Sequence, residues 1–489
     1  MSPEIAREER MLIDGQLRAA LDGRTFANEN PATEQIIGEV ADGSTADMDA
    51  AIGAARRAFD ETAWGTDHDF RARCLRQLHD GLIDRADDLR ATLVAEVGSP
   101  VLLTYGPQLD SPLSGIPWLA DLVEKYAWET DLGILAPFGS PSRRYTRREP
   151  FGVVGAITPW NFPMQINLAK VVPALGAGNT VVLKPAPDTP WTATLLGQIA
   201  AEHTDIPAGV LNIVTSTDHM LGAQLSADPR VDLVSFTGST ATGRKIMINA
   251  ADNITKTFLE LGGKSALIAL DDADLNTAAA TAAMQITAHA GQGCAVTSRL
   301  LLPQSRYDEG VDAVVSRMEA VRFGDPTDTS VMMGPLIRES QRQRVLAYIE
   351  RAVDQGATVA TGGAIPPECP QGYFVQPTVI VGADRNAIVA QEEIFGPVLV
   401  VLAYDDEDDA VEIANGTSYG LSGAVISADI EHARKVANRI RTGTMSLNGG
   451  TYCGYDVPFG GYGHSGIGRE SGVAGFEEYL ETKSIAEPA

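Results

Sequence analysis

The feature that most limits the fold is an alternation of short apolar runs and helix-length stretches between residues 150 and 262. The apolar runs are 152–158, 180–185, 210–214, 231–236 and 257–261, and the stretches between them are 163–178, 190–203, 218–226 and 239–250. Continuous apolar runs are typical of parallel strands that are buried on both faces. The alternation therefore predicts βαβ units in an α/β domain with a parallel sheet, whose ligands lie at the carboxyl ends of the strands.

A second alternation after Gly262-Gly263 predicts a second α/β domain. Its helices are expected at 272–290, 305–320 and 339–355, and its strands at 298–303, 375–381 and 397–404. The first hundred residues are predicted to be rich in helix, with helices at 45–64 and 69–98. The segment 128–150 is poorly helical and is expected to form an extended arm, which the tail 476–489 could join.

Composition excludes several classes of protein. The formal net charge of -26 opposes binding to nucleic acid or to anionic membrane surfaces. The chain has no apolar run long enough to span a membrane, and MSPEIAREERML lacks the pattern of a signal peptide. Its four cysteines form no metal-ligand spacing, so we expect no metal and a cytoplasmic protein with free thiols, at positions Cys74, Cys294, Cys369 and Cys453.

Two candidate catalytic residues have unusual surroundings. Cys294 lies in 289-HAGQGCAVTSR-299 among small and polar residues, whereas a core thiol is usually surrounded by large apolar ones. Glu260 lies between two leucines in 259-LELGG-263, where burial would raise its pKa toward the range of a general base. A simple loop cysteine and an ion-paired strand-edge glutamate are the alternative interpretations.

Three more polar features follow predicted strands. The turn 236-FTGSTATG-243 opens a helix, whose free N–H groups attract phosphate, although its spacing is not that of the dinucleotide fingerprint. Lys184 could bind ribose or phosphate oxygens, or remain a solvated lysine. Asn161 could donate its amide to an oxyanion, or serve only as a turn residue.

Taken together, these segments resemble the aldehyde dehydrogenase superfamily. The strings that carry the resemblance are PWNFP at 159–163, FTGST at 236–240, LELGGKS at 259–265, GQGC at 291–294, EEIFGPV at 392–398 and PFGGYGHSGIGRE at 458–470. They occur in the family's order and spacing from about residue 12 to 485. The resemblance implies a Rossmann-type cofactor domain (1–127 and 151–262), a catalytic domain (263–465), and oligomerisation or bridging segments (128–150 and 466–489).

The resemblance also implies a mechanism. Cys294 would be the nucleophile that forms a thiohemiacetal and then a thioester, and the Asn161 amide would stabilise the oxyanion. Glu260 would activate the water that releases a carboxylic acid, which favours hydrolysis over transfer to coenzyme A. Glu470 matches a second glutamate to which a proton-relay role is given, although a salt bridge explains it equally well.

The implied cofactor is NAD, with NADP as the alternative. Relatives that prefer NAD often carry a glutamate three residues after the lysine, where this chain has Pro187. No arginine obviously accommodates a 2′-phosphate, and Asp218 would be unfavourable to one. The resemblance assigns the cofactor to Ile157, Trp160, Lys184, Gly238, Ser239, Leu261, Glu393 and Phe395.

The resemblance assigns the substrate pocket to Met164, Gln165, Gly293, Ala295 and Phe459. The expected substrate is a small-molecule aldehyde, medium-sized and aliphatic or aromatic. A semialdehyde-specific enzyme would need a cationic residue in the pocket, and none adjoins Met164 or Phe459. A catalytically silent structural or binding relative would have lost Cys294, Glu260 or Asn161. The family also implies a homodimer or homotetramer.

Overall fold

The computed structural model describes residues 5–489, so the first four residues of the N-terminal sequence and of the predicted segment 1–127 lie outside it. The described chain begins with strands: β1 (Met11–Ile13), β2 (Gln16–Arg18), β3 (Thr25–Asn30) and β4 (Gln35–Ala41). The prediction that this region is mainly helical is wrong for residues 11–41. β1 and β2 are very short, and β3, with the sequence TFANEN, has no apolar run that signals a strand.

Helices occupy most of the next eighty residues: α1 (Thr45–Glu61), α2 (His68–Asp84), α3 (Ala86–Val97), α4 (Val101–Thr104) and α5 (Asp110–Lys125). The helix predicted over 69–98 is two helices, because Arg85 leaves the helical conformation with φ −108° and ψ 13°. Its N–H bonds to the Ile83 carbonyl and ends α2, and α3 begins with acidic residues that its N-terminal dipole favours.

The predicted arm is confirmed as an antiparallel hairpin of β5 (Glu129–Leu135) and β6 (Ser142–Pro150). Every residue of β5 is exposed. The hairpin projects many side chains that the rest of the chain does not cover.

The first alternation forms a mainly parallel sheet. Its elements are β7 (Val153–Ile157), α6 (Pro163–Ala177), β8 (Thr180–Lys184), α7 (Pro190–His203), β9 (Leu211–Ile213), α8 (Met220–Ala227), β10 (Leu233–Thr237), α9 (Thr240–Ala251) and β11 (Lys256–Glu260). The parallel strands follow the order β11-β10-β7-β8-β9, and β1 and β2 extend the β9 side in antiparallel fashion. The strand order reverses at β7, which predicts a ligand crevice at its carboxyl end.

Alternate residues of this sheet enter two separate cores. Val154 and Val181 pack into the core formed with α2, α5, α6 and α7, whereas Val153 and Val182 pack into the core on the opposite face, to which α1 contributes. Both faces are therefore covered, which explains the continuous apolar runs in the sequence.

The second alternation forms a seven-stranded sheet in the order β14-β15-β16-β13-β12-β17-β18. Its elements are β12 (Ser265–Ala269), α10 (Leu275–Thr287), β13 (Thr297–Pro303), α11 (Tyr307–Glu319), α12 (Glu339–Asp354), β14 (Thr358–Thr361), β15 (Thr378–Val381), α13 (Ile388–Gln391), β16 (Val398–Tyr404), α14 (Glu407–Asn415), β17 (Gly423–Ile426), α15 (Ile430–Ala437) and β18 (Ser446–Leu447). The helix predicted over 272–290 ends at Thr287, before the turn that leads to Cys294.

The C-terminal segment contains β19 (Gly466–Ile467), α16 (Gly472–Glu477) and β20 (Leu480–Pro488). β19 pairs with β11 of the first sheet, whereas β20 pairs along the whole of β6 and adds a third strand to the arm. Across residues 5–489, no helix combines the length and apolar character that a membrane span requires.

Candidate active site

The carboxyl edge of the first sheet brings three predicted site residues, Ile157, Lys184 and Glu260, close together in the strand register. Ile157 at the end of β7 pairs with Lys184 on one side and with Phe236 on the other. Thr237 then pairs with Glu260 at the end of β11. The carboxyl ends of β8, β7, β10 and β11 therefore lie side by side, where the strand order predicts a crevice.

The start of α9 is suited to an anionic group. Ser239 is the N-cap, and its hydroxyl accepts a hydrogen bond from the Thr242 N–H at 3.2 Å. A Cβ at Gly238 would lie 2.5 Å from the Phe236 ring, so the turn requires glycine. Leu261 packs beside this helix, where a Cβ at Gly243 would come within 2.8 Å of it. The remaining N–H groups of the helix start can bind phosphate.

Lys184 is buried at the end of β8, and its Nζ donates to the Ser216 carbonyl at 3.4 Å. Burial lowers the pKa of Lys184 to about 8, while the charges of Asp218 and Asp42 act in the opposite direction. The side chain therefore remains mostly cationic at neutral pH.

Glu393 and Phe395 come from the second sheet's domain and face the same edge. Glu393 accepts the Gly263 N–H at 2.9 Å, and a Cβ at Gly262 would overlap its carboxyl group. Burial raises the pKa of Glu393 to about 7. Phe395 has a left-handed backbone (φ 62°) and packs edge-to-face on Trp160 with ring centroids 5.5 Å apart.

The chain reaches Cys294 through a strained turn. His289, Ala290 and Gly291 all have positive φ, at 49°, 52° and 70°, directly before Gln292. Left-handed backbone costs a non-glycine residue roughly 1–2 kcal/mol, so packing must hold this turn in place. Glycine is required at 291 because a Cβ would overlap the Gly396 carbonyl oxygen.

Gln292 joins this turn to Asn161, and we did not predict its role from the sequence. The Gln292 N–H and side-chain amide both donate to the His289 carbonyl at 3.1 Å, and its Oε1 accepts the Ile337 N–H at 2.9 Å. The Gln292 carbonyl accepts one hydrogen bond from Asn161 Nδ2 at 2.8 Å. Only the amide nitrogen can donate, so this contact fixes the orientation of Asn161 and leaves its second N–H hydrogen for a ligand.

Cys294 follows this turn with a partly exposed side chain. Removal of water by the surrounding walls raises the pKa of its thiol well above the usual range, and the charges of Glu260, Glu393 and Glu470 raise it further. These effects favour the neutral thiol over the thiolate, whereas nucleophilic attack requires the thiolate.

Glu260 is 2% exposed, and within residues 5–489 neither of its carboxyl oxygens has a hydrogen-bond partner. Burial, followed by the negative charge of Glu470, raises the pKa of Glu260 well above its usual value, although Lys170 and Arg469 oppose this effect. Gly460 adjoins the carboxyl group, since a Cβ there would lie 2.7 Å from Oε1. An unpartnered buried carboxyl with a raised pKa is typical of a general base.

A buried ion pair of Lys170 and Glu470 is close enough to Glu260 for both charges to act on its carboxyl group. Lys170 Nζ lies 2.8 Å from Glu470 Oε1 and also donates to the Ser235 hydroxyl at 3.1 Å. Lys170 has no exposed surface. We did not predict this lysine, although a lysine on the apolar helix 163-PMQINLAKVVPALGA-177 is a signal that could have revealed it.

The five predicted pocket residues have different environments. Met164 is fully buried in the main core, whereas Gln165, the next residue of α6, is exposed. Gly293, Ala295 and Phe459 are half-buried, and Phe459 pairs through its backbone with Glu470. Residues 5–489 contain no group of three or more His, Cys, Asp or Glu side chains that could hold a metal ion.

Comparison with known proteins gives a full-length match. The model of the family described as "Aldehyde dehydrogenase family" matches residues 19–485. The chain is 41% identical over 476 residues to "3-succinoylsemialdehyde-pyridine dehydrogenase" of a Pseudomonas species, covering 97% of each chain. It is 38% identical over 487 residues to "Aldehyde dehydrogenase, mitochondrial" of Leishmania tarentolae, covering 99% of this chain and 96% of that protein.

Solved structures agree with this match. The crystal structure of betaine aldehyde dehydrogenase from Staphylococcus aureus in complex with NAD+ superposes with a TM-score of 0.95. It is 35% identical in sequence, and the match covers 99% of this chain and 95% of that chain.

Proposed function

The chain belongs to the aldehyde dehydrogenase family and is an oxidoreductase that acts on an aldehyde group; we propose that it uses NAD to convert an aldehyde into a carboxylic acid through Cys294. The observation that best supports this mechanism is the chemistry around Cys294. The Asn161 amide is held by the Gln292 carbonyl, two residues before Cys294. The negative charge of Glu260, a buried carboxyl without a partner, acts on the Cys294 thiol. We also propose the division into cofactor segments 1–127 and 151–262 and a catalytic segment 263–465.

The residues at the carboxyl edge fit a dinucleotide. The start of α9 at Gly238 and Ser239 would hold the diphosphate, and Lys184 would bind oxygens of the adenosine half. Glu393 has one oxygen bonded to Gly263 and a second available for ribose hydroxyls. Ile157, Trp160, Leu261 and Phe395 would provide apolar contacts. When bound, NAD supplies an acceptor for the hydride that leaves the substrate carbon.

The first chemical step assigned to the chain is thiol addition. The Cys294 thiol gives its proton to solvent, and the resulting thiolate forms a bond to the aldehyde carbon while the carbonyl π electrons move to oxygen. The free N–H of Asn161 and the backbone N–H of Cys294 would hold that oxyanion. Because Gln292 already binds the other hydrogen of the Asn161 amide, the donor is oriented before the substrate arrives.

The second step is hydrolysis of the thioester that remains after oxidation. Glu260 accepts a proton from water, the resulting hydroxide attacks the acyl carbon, and the carbon–sulfur bond breaks to release the carboxylic acid and the Cys294 thiolate. A carboxyl buried without a partner gains basicity from its surroundings, which suits this task. Glu470, held by Lys170, would take the proton onward from Glu260.

The proposed substrate is a medium-sized aliphatic or aromatic aldehyde. Gly293 and Ala295 are small and flank Cys294 in the sequence, and Phe459 is a half-buried apolar side chain of the C-terminal segment. The relative named for a pyridine-bearing semialdehyde supports a second candidate, a semialdehyde that carries an aromatic ring.

The protein is proposed to form homodimers or homotetramers through its arm, in the reducing cytoplasm. The arm exposes four large apolar side chains, with Phe138 97% and Ile134 64% exposed, as well as Leu132 and Leu135. All four cysteines are free thiols, which fits a reducing cytoplasm and leaves Cys294 available as a nucleophile.

The proposal is tested by recording reduced-cofactor absorbance with NAD across a panel of aliphatic, aromatic and semialdehyde substrates. We expect the wild type to turn over at least one class, and Cys294→Ala to lose turnover entirely. Cys453→Ala is the matched control, because it removes an exposed free thiol without removing the nucleophile. Undiminished turnover by Cys294→Ala would refute the nucleophile assignment.

A further inference from the structure

The adenosine side of the crevice is bordered by the loop after β9, and its charges bear on the choice of dinucleotide. This inference rests on the proposed function. In Rossmann-type sheets, an acidic residue near a neighbouring strand end binds the ribose 2′-hydroxyl of NAD, whereas an arginine accommodates the 2′-phosphate of NADP. In this chain β8 ends in Lys184, and the loop 214–219 that leads from β9 to α8 follows the next strand of the sheet.

Asp42 holds this loop in a fixed conformation. Its carboxylate accepts hydrogen bonds from the Ser216 hydroxyl at 2.9 Å, the Thr217 N–H at 2.9 Å and the Thr217 hydroxyl at 3.0 Å. The Ser216 hydroxyl also accepts the Asp218 N–H at 3.1 Å, and the Ser216 carbonyl accepts from Lys184. Asp218 is therefore held two residues from the carbonyl that binds the lysine.

Asp218 differs from Asp42 because it retains an available oxygen. Its Oδ1 accepts the N–H of Met220, the first residue of α8, at 2.8 Å. Within residues 5–489, Oδ2 has no hydrogen-bond partner, and the side chain is exposed. Both oxygens of Asp42 already accept bonds inside the loop. Asp218 is thus the carboxylate of this loop that can receive a ribose hydroxyl.

We propose that Asp218 selects NAD over NADP in this protein by accepting a ribose hydroxyl and repelling a 2′-phosphate. A phosphate monoester carries a charge of about −1.5 to −2 at neutral pH, and a carboxylate at this position opposes it. Asp218 also places a negative charge at the start of α8, where free N–H groups would otherwise attract phosphate. Without it, Lys184 would face the cofactor as a less compensated cation and would attract the 2′-phosphate.

The matched control comes from the second sheet, where the same local structure recurs. The Asp429 N–H donates to the Ser427 hydroxyl at 3.1 Å, Ser427 donates to Asp272 at 2.8 Å, and Asp429 Oδ1 accepts the Glu431 N–H at 2.9 Å. Asp429→Asn therefore changes an aspartate in the same type of loop, at the start of a helix that belongs to the other sheet.

The experiment measures binding directly by calorimetry, with 5′-AMP and adenosine 2′,5′-bisphosphate as probes that differ only in the 2′-phosphate. We expect the wild type to prefer 5′-AMP, and Asp218→Asn to shift the affinity ratio toward the bisphosphate by about tenfold or more. Asp218→Glu, which retains the charge, and Asp429→Asn should stay within about twofold of the wild-type ratio. The ratio of kcat/KM for NADP to that for NAD should move in parallel.

Two results would overturn the proposal: a wild type that prefers the bisphosphate, or an Asp218→Asn ratio equal to that of Asp429→Asn. Failure of the proposed function is a separate outcome. A wild type that reduces neither cofactor with any aldehyde would refute the function, while the two nucleotide affinities would still decide the role of Asp218.

Discussion

Replacing Asn161 with alanine tests whether the fixed amide works on the transition state. The side chain has two N–H hydrogens, of which one binds the Gln292 carbonyl at 2.8 Å and the other is available to an oxyanion. Loss of one oxyanion donor typically costs about 3 kcal/mol, so kcat should fall by roughly 10²–10³-fold. KM should change much less, because the lost interaction develops only as the carbonyl oxygen becomes charged.

The same substitution also removes a buried structural hydrogen bond. The Gln292 carbonyl would lose its donor, at a cost of roughly 1–3 kcal/mol in the free energy of unfolding. The control must therefore lose similar stability without touching the site. Asn212→Ala meets this need, because Asn212 is fully buried in the first sheet and its Nδ2 donates to the Gly209 carbonyl at 2.7 Å.

The assay compares denaturant unfolding and steady-state kinetics for the two variants. We expect similar losses of stability, but a large loss of kcat only in Asn161→Ala. If both variants keep kcat within a few-fold of the wild type, the Asn161 amide does not stabilise the oxyanion. If both lose it equally, the effect is structural.

Three further predictions follow from the buried groups. The pKa values of Cys294 and Glu260 are both raised, and both groups act in the deprotonated form. We therefore expect kcat/KM to rise with pH through the neutral and alkaline range, and a flat profile from pH 6 to 9 would contradict this reasoning. Lys170→Met should destabilise the fold by about 3–5 kcal/mol by leaving Glu470 buried without its partner, and adding Glu470→Gln should recover part of that loss in thermal or denaturant unfolding. Gly291→Ala should prevent folding or abolish activity, because Gly291 has a left-handed backbone and an added Cβ would overlap the Gly396 carbonyl. An active and stable variant would refute the strained-turn argument.

Much of the fold could be predicted from the sequence because strands of a buried parallel sheet have continuous apolar sequences. Each of the five runs between 150 and 262 overlaps a strand of the first sheet, which lies within the run or extends one residue beyond it. The strands within 11–41 escaped prediction because a three-residue strand and a polar hairpin carry too little periodicity. The break at Arg85 was missed for a related reason, since the apolar spacing continues through it.

The candidate site was recognised by motif, whereas the residues that support it were not. Cys294 and Glu260 belong to distinctive strings in the sequence. Gln292 stands beside Cys294 in the same string, but its contact with Asn161 spans 131 positions and exists only in the folded chain. Lys170 meets Glu470 across 300 positions, and no local pattern indicates that partner.

The central claim is that an acyl group is transiently bonded to the sulfur of Cys294. The most direct test is intact-mass analysis of the Glu260→Gln variant, quenched in acid after mixing with NAD and an aldehyde that the wild type oxidises. Hydrolysis should stall in this variant, so we predict a burst of reduced cofactor and a mass increase equal to the acyl group, located on the peptide that contains Cys294. Reduced cofactor formed without any adduct on that peptide would contradict the account.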